Sequence, residues 1–388
     1  MGGRVSAGRG ARRRWIGCGV GAVVLFAAGS GGVGWVLYAN LDGNITPDEA
    51  AAAELERYAK ERPTSLVKDA QNVLVIGSDS RAGDDNGRYG TDSGTERSDT
   101  TILLHLSGGR RSATAVSVPR DLMVDVPSCR RPDGTRTASG FAMFNHAFET
   151  GGSACTIRTV EKMTGVRIDH HVVVDFSGFK DMVDAVDGVT VCLEDPIADK
   201  AAELRLPAGK VTLDGERALG YVRARKSLGD GSDTERMERQ QRFLGALVHK
   251  VQSDDVLLNP VKLYPVLDAA TSSLTTDPDL ASLRGLYELV RGLRDIPTER
   301  VQFLTVPRES YVHNANRDQL MEPEAGKLFE RLRTDAPVAV SQELPMNSGS
   351  AESGDHGPYG RRAASPAASP SPPAPTFRGN TAVEDGCG

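Results

Sequence analysis

The residues best suited to phosphate chemistry lie between Gly220 and Gln241. Arg223 and Arg225 are two positions apart, and on an extended segment that spacing places both guanidinium groups on one face. A planar guanidinium donates two parallel hydrogen bonds, which suits the oxygens of a phosphate or pyrophosphate. A solvated basic surface with salt bridges to Glu235 and Glu238 would account for the same residues, so the interpretation depends on the rest of the chain.

A helix is predicted directly after these arginines. Ser232 and Glu235 have the spacing of a capping box, in which each side chain accepts a hydrogen bond from the other's backbone N–H. Arg236 and Gln240 are four residues apart on this helix and therefore share a face, with Arg239 beside them. The stretch thus directs several cations towards one region.

Two aspartates accompany the ends of predicted strands. Asp79 follows the apolar run 72–77, and Asp99 precedes the apolar run 101–106. If these strands are neighbours, the two carboxylates converge at one edge of a sheet, where they could bind Mg²⁺ (or Mn²⁺) together with phosphate oxygens. The alternative is that both aspartates cap turns and pair with nearby arginines. The arginines around them are Arg81, Arg97 and Arg120.

Strands and helices alternate along the middle of the chain, which predicts an α/β sheet. Further strands are expected at residues 112–118, 172–176, 189–193 and 301–306. A helix from Asp233 to about Val251 carries an apolar stripe that is typical of a core-facing surface.

The composition is that of a globular protein, with 39% hydrophobic and 25% charged residues among 388. The formal net charge of −6 argues against a nucleic-acid partner, because phosphate backbones are bound by basic surfaces. The five cysteines include no Cys-x-x-Cys pair, so a zinc site is not expected.

The N-terminal residues predict a membrane anchor. Residues 1–14 are basic, and the uncharged run over residues 15–41 is long enough to span a bilayer. Trp15, Trp35 and Tyr38 flank this run as interfacial aromatic residues do, and the arginines before it predict a cytoplasmic N-terminus. A cleaved signal peptide is the alternative, which the bulky residues at the outer end disfavour.

Several short motifs are similar to those of the LytR-CpsA-Psr (LCP) family, and they occur in that family's order over about residues 71–251. The matching segments are Val-Leu-Val-Ile-Gly-Ser-Asp-Ser-Arg (73–81), Arg-Ser-Asp-Thr (97–100), Ser-Val-Pro-Arg-Asp (117–121), Asp-His-His-Val-Val-Val-Asp-Phe-Ser-Gly-Phe (169–179), Leu-Asp-Gly-Glu-Arg-Ala-Leu-Gly-Tyr-Val-Arg-Ala-Arg (213–225) and Arg-Met-Glu-Arg-Gln-Gln (236–241).

This resemblance implies a cell-envelope phosphotransferase of the actinobacterial type. Family members transfer a glycopolymer from an undecaprenyl-pyrophosphate carrier to peptidoglycan, forming a phosphodiester with the help of Mg²⁺. The implied fold is a three-layer α/β/α sandwich with a central mixed sheet, which holds the lipid in a hydrophobic pocket and follows one transmembrane helix. The implied location is the cell membrane, with a single span and an extracellular catalytic domain.

The resemblance also implies roles for individual residues. Asp79 and Asp99 are the metal-linked aspartates, and either could deprotonate the acceptor hydroxyl. The implied catalytic set is Asp79, Asp99, Arg97, Arg120, Arg223 and Arg225. The residues expected to bind the pyrophosphate are Arg81, Arg97, Arg120, Arg223, Arg225, Arg236, Arg239 and Gln240.

Domain boundaries follow from the resemblance and from composition. We expect a stalk or N-terminal packing helix at residues 42–70, the catalytic domain at 71–252, and an α/β extension packed on or beside it at 253–335. Proline, serine, alanine and glycine dominate residues 336–388, which predicts a disordered tail.

The chain departs from the family pattern at three points. The loop between Asp79 and Asp99 is long, and the usual Lys-Ile-Asn segment reads Met-Phe-Asn at residues 143–145. Cys129 and Cys155 flank the loop that holds this segment, and we favour a disulfide between them. Cys192 leaves two other pairings open, and three free thiols are a further alternative.

The same site could support other functions. With water as acceptor it would be a polyprenyl-pyrophosphate pyrophosphatase, and without catalysis it would be a carrier-binding or regulatory envelope protein. The sequence does not identify the polymer, and teichoic acid, teichuronic acid, arabinogalactan and capsule all stay open.

Overall fold

In the computed structural model, the residues described are 35–78, 98–131, 133–200, 202–224, 233–253, 260–294, 296–341 and 375–383. The helices are α1 Glu49–Arg57, α2 Asn145–Thr164, α3 Phe176–Ala185, α4 Gly215–Arg223, α5 Asp233–Ser253, α6 Pro260–Ser273, α7 Leu283–Arg294 and α8 Glu324–Arg333. The strands are β1 Thr46–Pro47, β2 Gln71–Ser78, β3 Ser98–Leu106, β4 Ala113–Val118, β5 Met123–Val126, β6 Gly140–Met143, β7 His170–Val174, β8 Val189–Leu193, β9 Ile197–Asp199, β10 Leu204–Leu206, β11 Gly209–Leu213, β12 Leu274–Thr276, β13 Val301–Thr305, β14 Arg308–Tyr311, β15 Asn314–Leu320, β16 Ala339–Ser341 and β17 Thr376–Thr381.

A mixed sheet forms the centre of the part of the chain that the structure describes. Its nine strands have the order β1-β12-β7-β2-β3-β4-β13-β17-β16. The pairs β2–β7 and β4–β13 are parallel, whereas β3 is antiparallel to both β2 and β4. Strands β2, β4, β7 and β13 therefore end at the same edge of the sheet, where β3 begins.

Helices cover both faces of this sheet, because alternate residues of each strand point to opposite sides. Leu74 and Ile76 of β2 pack in a core with α1, α2 and α8. Val73 and Val75 contact clusters on the other face, which include residues of α5 and α7. The sequence-based prediction of a mixed central sheet with flanking helices is confirmed.

The C-terminal part of the chain contributes strands to the sheet, and this corrects one prediction. Residues 253–335, expected as an extension packed on or beside the catalytic domain, supply β12 and β13 of the central sheet. The predicted disorder of residues 336–388 is wrong for β16 and β17, and β17 pairs with β13. A Cβ atom on Gly379 would lie 2.3 Å from the carbonyl oxygen of Phe303, so glycine is required where β17 meets β13. Strand β17 was not predicted because the tail as a whole has few hydrophobic residues.

Residues 35–44 are helical and dock on the body of the protein. The Asp42 carboxylate accepts a hydrogen bond from the backbone N–H of Leu283 at 2.8 Å, and Leu41 is buried. Among the residues that the structure describes, we find no helix whose length and apolar character would let it cross a bilayer. Residues 15–34 of the predicted span lie outside the described residues.

The structure decides between the predicted states of the cysteines. Cys129 and Cys155 form a disulfide with a Cα–Cα distance of 5.6 Å, which confirms the favoured pairing. Cys192 is also disulfide-bonded, so the alternative of three free thiols is wrong.

Candidate active site

An ion pair between Asp99 and Arg120 lies where β3 begins and β4 ends. Arg120 donates from Nη1 to Oδ1 of Asp99 at 2.7 Å, and both side chains are partly exposed. The cause is the register of the antiparallel pair, in which Thr101 lies opposite Val118. Continuing that register by two residues places Asp99 opposite Arg120, and the two-residue period keeps them on one face. The sequence predicts that Asp79 and Asp99 converge at one sheet edge with Arg120 near them. The structure places Arg120 beside Asp99, and Asp79 lies outside the described residues, so the convergence of the two aspartates stays a prediction.

The backbone around Arg120 is held by the start of α2. The N–H of Asn145 donates to the carbonyl oxygen of Arg120 at 3.1 Å, and the N–H of Phe144 donates to that of Leu122 at 2.8 Å. Oδ1 of Asn145 is buried and has no hydrogen-bond partner among the described residues. The sequence singled out the segment 143–145 only as a departure from the family pattern, so its contact with Arg120 was missed.

Arg223 lies at the end of α4, over an aromatic ring. Its guanidinium carbon is 4.6 Å from the centre of the Phe176 ring, a cation–π contact. Phe176 begins α3 directly after β7, so this contact belongs to the same sheet edge. The packing of α4 on α3 depends on Gly215, where a Cβ atom would lie 2.4 Å from the carbonyl oxygen of Lys180. The role of Phe176 was not predicted, although it stands in one of the matching motifs.

Arg239 and Gln240 of α5 bond the end of α4 on both sides of Arg223. Arg239 donates from Nη2 to the carbonyl oxygen of Ala224, and Gln240 donates from Nε2 to that of Val222 at 3.1 Å. These carbonyl groups have no partner within a helix that ends here, so the two side chains complete the helix terminus. Burial lowers the pKa of Arg239 below its ordinary value, although Tyr221 and Glu235 oppose this.

These contacts place the predicted pyrophosphate ligands of α5 in the protein interior. Arg236 and Arg239 are 6% and 7% exposed, so most of their surface already contacts protein. The described contacts of Arg239 and Gln240 hold the backbone that carries Arg223. Direct contact of these residues with a pyrophosphate stays a prediction.

Gln241 links α5 to the sheet and was missed by sequence reasoning. Its Nε2 donates to Oγ of Ser117 at 3.2 Å and to Oγ1 of Thr305 at 3.0 Å. Ser117 is near the end of β4 and Thr305 ends β13, so one amide ties α5 to both strands. The tandem Gln240-Gln241 was the available signal, since adjacent helix residues point in different directions.

Four of the predicted site residues lie outside the described residues, as does the capping Ser232. The loop between Asp79 and Asp99 is also outside them. The four site residues are Asp79, Arg81, Arg97 and Arg225.

The donor set at the site fits a divalent metal that is bound mainly by substrate. No group of three or more His, Cys, Asp or Glu side chains is poised to hold a metal within the described ranges. Asp99 is paired with Arg120, and Oδ2 of Asp121 lies 3.5 Å from Nε of the same arginine. Mg²⁺ is commonly held by one or two carboxylates and substrate phosphates, and partly exposed Asp99 meets that requirement.

Comparison with known proteins now decides the family. The family model described as the LytR_cpsA_psr family matches residues 42–334. This chain belongs to the LytR-CpsA-Psr family. The match extends well beyond the predicted limits of about 71 and 251, in agreement with the strands that residues 253–335 add to the sheet.

Two curated relatives show how far the likeness extends. The chain is 38% identical over 232 residues to the probable cell wall biosynthesis protein LcpB of Corynebacterium glutamicum, covering 58% of this chain and 53% of that protein. It is 27% identical over 321 residues to the polyisoprenyl-teichoic acid–peptidoglycan teichoic acid transferase TagT of Bacillus subtilis, covering 80% and 92%. The chain spans about half the length of LcpB and of a second C. glutamicum relative, LcpA.

A solved structure of TagT bound to LI-WTA has the same fold. The TM-score is 0.53 at 25% sequence identity, and the match covers 71% of this chain and 96% of that one. The mixed sheet and its flanking helices are therefore those of the family.

Proposed function

We propose that this protein is a phosphotransferase that moves a glycopolymer from an undecaprenyl-pyrophosphate carrier to peptidoglycan. The observation that carries the proposal is the Asp99–Arg120 pair at the sheet edge. Family membership and the likeness to a protein named as a teichoic acid transferase support it. Arg223, which is held over Phe176 at the same edge, adds a second cation.

The chemistry follows from this arrangement. An acceptor hydroxyl oxygen attacks the phosphorus nearer the glycan, the bond from that phosphorus to the bridging oxygen breaks, and polyprenyl phosphate leaves. The acceptor loses a proton, and the carboxylate of Asp99 is the described group that could take it. Arg120 and Arg223 stabilise the negative charge on the phosphate oxygens, which is the main task of the protein in phosphoryl transfer.

Asp99, together with Asp79 after β2, would hold Mg²⁺ (or Mn²⁺). When bound, the ion supplies further positive charge to the pyrophosphate. The residues of this chain position the substrate and accept the proton.

We further propose that residues 15–41 form a single transmembrane helix and that the catalytic domain lies outside the cell. The arginines before residue 15 and the aromatic residues that flank the run support this topology. The Cys129–Cys155 disulfide is consistent with an oxidising compartment.

Substitution of Asp99 tests the function. The full chain in detergent is incubated with a lipid-pyrophosphate-linked glycan, peptidoglycan fragments and Mg²⁺, and products are followed by mass spectrometry. We expect a glycan–phosphate–muropeptide adduct from the wild type, and formation slower by about 100-fold or more in Asp99→Asn. Asp195→Asn changes an exposed aspartate that follows β8 and should match the wild type.

Other outcomes would contradict the proposal. Equal rates for Asp99→Asn and the wild type would remove Asp99 from the mechanism. Glycan phosphate and lipid phosphate without any adduct would instead indicate a pyrophosphatase. Lipid binding without turnover would indicate a carrier-binding protein.

A further inference from the structure

We infer that a groove beside the Asp99–Arg120 pair binds the peptidoglycan acceptor, an inference that rests on the proposed function. The acceptor groove consists of a cavity of about 640 Å³ and an aromatic patch next to it. The cavity is enclosed by α5, by the turn from β13 to β14, by β15 and by the C-terminal strand β17. The aromatic patch consists of Phe141, Tyr311 and His313.

The cavity opens at the same sheet edge as the proposed reaction centre. Thr305, which ends β13, lines the cavity, and β13 lies parallel to and beside β4, which leads to Arg120. Asp318 lines the cavity as well, and its N–H donates to the carbonyl oxygen of Asp121 at 3.3 Å. A ligand in the cavity would thus lie one strand away from Arg120, on the side opposite to Phe176 and Arg223.

The charges that line the cavity favour the peptidoglycan acceptor over the pyrophosphate donor as its ligand. Three arginines and four acidic residues line it, in contrast to the arginines expected around a pyrophosphate. Arg308 pairs with Asp318 at 2.6 Å and Arg378 pairs with Glu238 at 2.9 Å, which holds the walls together. A wall with both signs of charge would repel a diphosphate in places, but it suits a glycan whose peptide stems carry both amino and carboxyl groups.

The aromatic patch provides a surface for sugar rings. The ring centres of Phe141 and Tyr311 are 5.9 Å apart, and those of Tyr311 and His313 are 5.2 Å apart. Phe141 is 54% exposed, although large aromatic side chains are usually covered in a folded protein. The apolar face of a pyranose packs against such rings. The β14–β15 hairpin carries both Ser310 of the cavity wall and Tyr311 of the patch, so a glycan that extends out of the cavity along this hairpin would reach the rings.

The C-terminal strand is a necessary wall of this groove. Residues 376–380 of β17 line the cavity, and Arg378 on this strand makes the ion pair with Glu238 of α5. The tight approach at Gly379 fixes the register of β17 on β13. A segment whose composition predicts disorder thus completes the acceptor side of the site.

Binding to insoluble peptidoglycan, measured without donor lipid, tests the inference independently of transfer. The full chain in detergent is mixed with purified peptidoglycan, and the bound fraction is measured by sedimentation. Phe141→Ala/Tyr311→Ala removes two rings of the patch, and Tyr311→Ala alone is the milder variant. Tyr287→Ala is the matched control, since Tyr287 is an aromatic residue of α7 that is 60% exposed and lies outside the groove.

We expect the double variant to bind about tenfold more weakly, which is the usual effect of losing aromatic anchors, with Tyr287→Ala unchanged. In the transfer assay, KM for the acceptor should rise about tenfold while KM for the donor stays the same. Wild-type binding by both patch variants, or no binding by the wild type, would overturn the inference. Neither result would affect the Asp99→Asn test of the proposed function. A rise in KM for the donor would also overturn it, because the groove would then belong to the lipid-linked substrate.

Discussion

The two edges of the central sheet use charged residues in different ways. At the edge where β2 and β7 begin, histidines are paired with carboxylates from distant parts of the chain. His170 lies 3.1 Å from Asp277, and His171 lies 3.2 Å from Asp48. His105, at the end of β3, is likewise 3.0 Å from Asp335. We call this the structural edge.

We call the opposite edge, where β2, β4, β7 and β13 end and where we place the proposed reaction centre, the catalytic edge. The arginines there differ from one another in the kind of group that they contact. Arg120 pairs with a partly exposed carboxylate, Arg223 lies over an aromatic ring, and Arg239 bonds a backbone carbonyl. An aromatic face or a carbonyl group holds a guanidinium in position without cancelling its charge. Charge at the structural edge therefore joins segments that are distant in sequence, whereas at the catalytic edge the described contacts position arginines through a carboxylate, an aromatic face and a backbone carbonyl.

The largest effect expected from this comparison is a loss of stability at the structural edge. Arg62 makes a two-pronged contact with Glu161, with Nη2 to Oε1 at 2.8 Å, and also donates to the carbonyl oxygen of Ile168 at 2.6 Å. Glu161 is only 3% exposed, so Arg62→Ala leaves a buried carboxylate without its counter-ion. We expect the free energy of unfolding to fall by about 3–5 kcal/mol, measured by urea denaturation.

Arg217→Ala is the matched control for Arg62. Arg217 pairs with Asp214 at 3.0 Å, both side chains are half-exposed, and such surface pairs contribute about 0–1 kcal/mol. Both variants should keep the wild-type rate of transfer per folded molecule at a temperature where they are folded. A large loss of turnover in folded Arg62→Ala would show that the two edges are not separate in function.

The sequence correctly predicted those features of the catalytic edge that depend on the local pattern of apolar and polar residues. Asp99 was predicted to lie where a strand begins, with Arg120 near it, because the limits of apolar runs indicate the ends of strands. The register of β3 on β4 then brings these two side chains together.

The missed features depend on contacts between segments that are distant in sequence. Gln241 reaches Thr305, and β17 reaches β13, although nothing in the local pattern of either segment indicates its partner. Contact of Arg239 with a pyrophosphate stays a prediction, but the sequence did not indicate that the fold buries this arginine against the end of α4. Charge type alone does not distinguish an arginine that holds backbone from one that meets a ligand.

A smaller effect is expected at the catalytic edge when the aromatic ring that contacts Arg223 is removed. Phe176→Leu keeps an apolar side chain but removes the π face that lies 4.6 Å from the Arg223 guanidinium. Since cation–π contacts contribute about 0.5–2 kcal/mol, we expect kcat/KM for the donor to fall by about 2- to 30-fold. Phe179→Leu, which changes a nearby ring that packs against Phe243, controls for loss of aromatic packing. Equal falls in the two variants would show that Phe176 acts only through the core.

The smallest effect is a pH dependence of stability that comes from His170 at the structural edge. Burial opposes its charge, but the hydrogen bond and negative charge of Asp277, with Asp169 and Asp279 nearby, raise its pKa above the ordinary value. A raised folded-state pKa stabilises the protein below the unfolded-state pKa of about 6.5, and this stabilisation is lost as pH rises through the folded-state pKa. The pair should therefore contribute a decline in unfolding free energy as the pH rises above about 6.5 and through the folded-state pKa of His170.

Burial lowers the pKa of His105, so His105 contributes a pH dependence of stability with the opposite sign. The contribution of His170 is therefore measured as the difference in unfolding free energy between the wild type and two variants. Both His170→Gln and Asp277→Asn should remove this part of the pH dependence, while the pH profile of kcat should stay that of the wild type. If the unfolding free energy of His170→Gln declined as in the wild type, the pair would not be the source. A shifted pH profile of kcat would instead show that the two edges are coupled. Protonation of His170 at the start of β7 would then change the activity of the site beyond the end of β7, where Phe176 contacts Arg223.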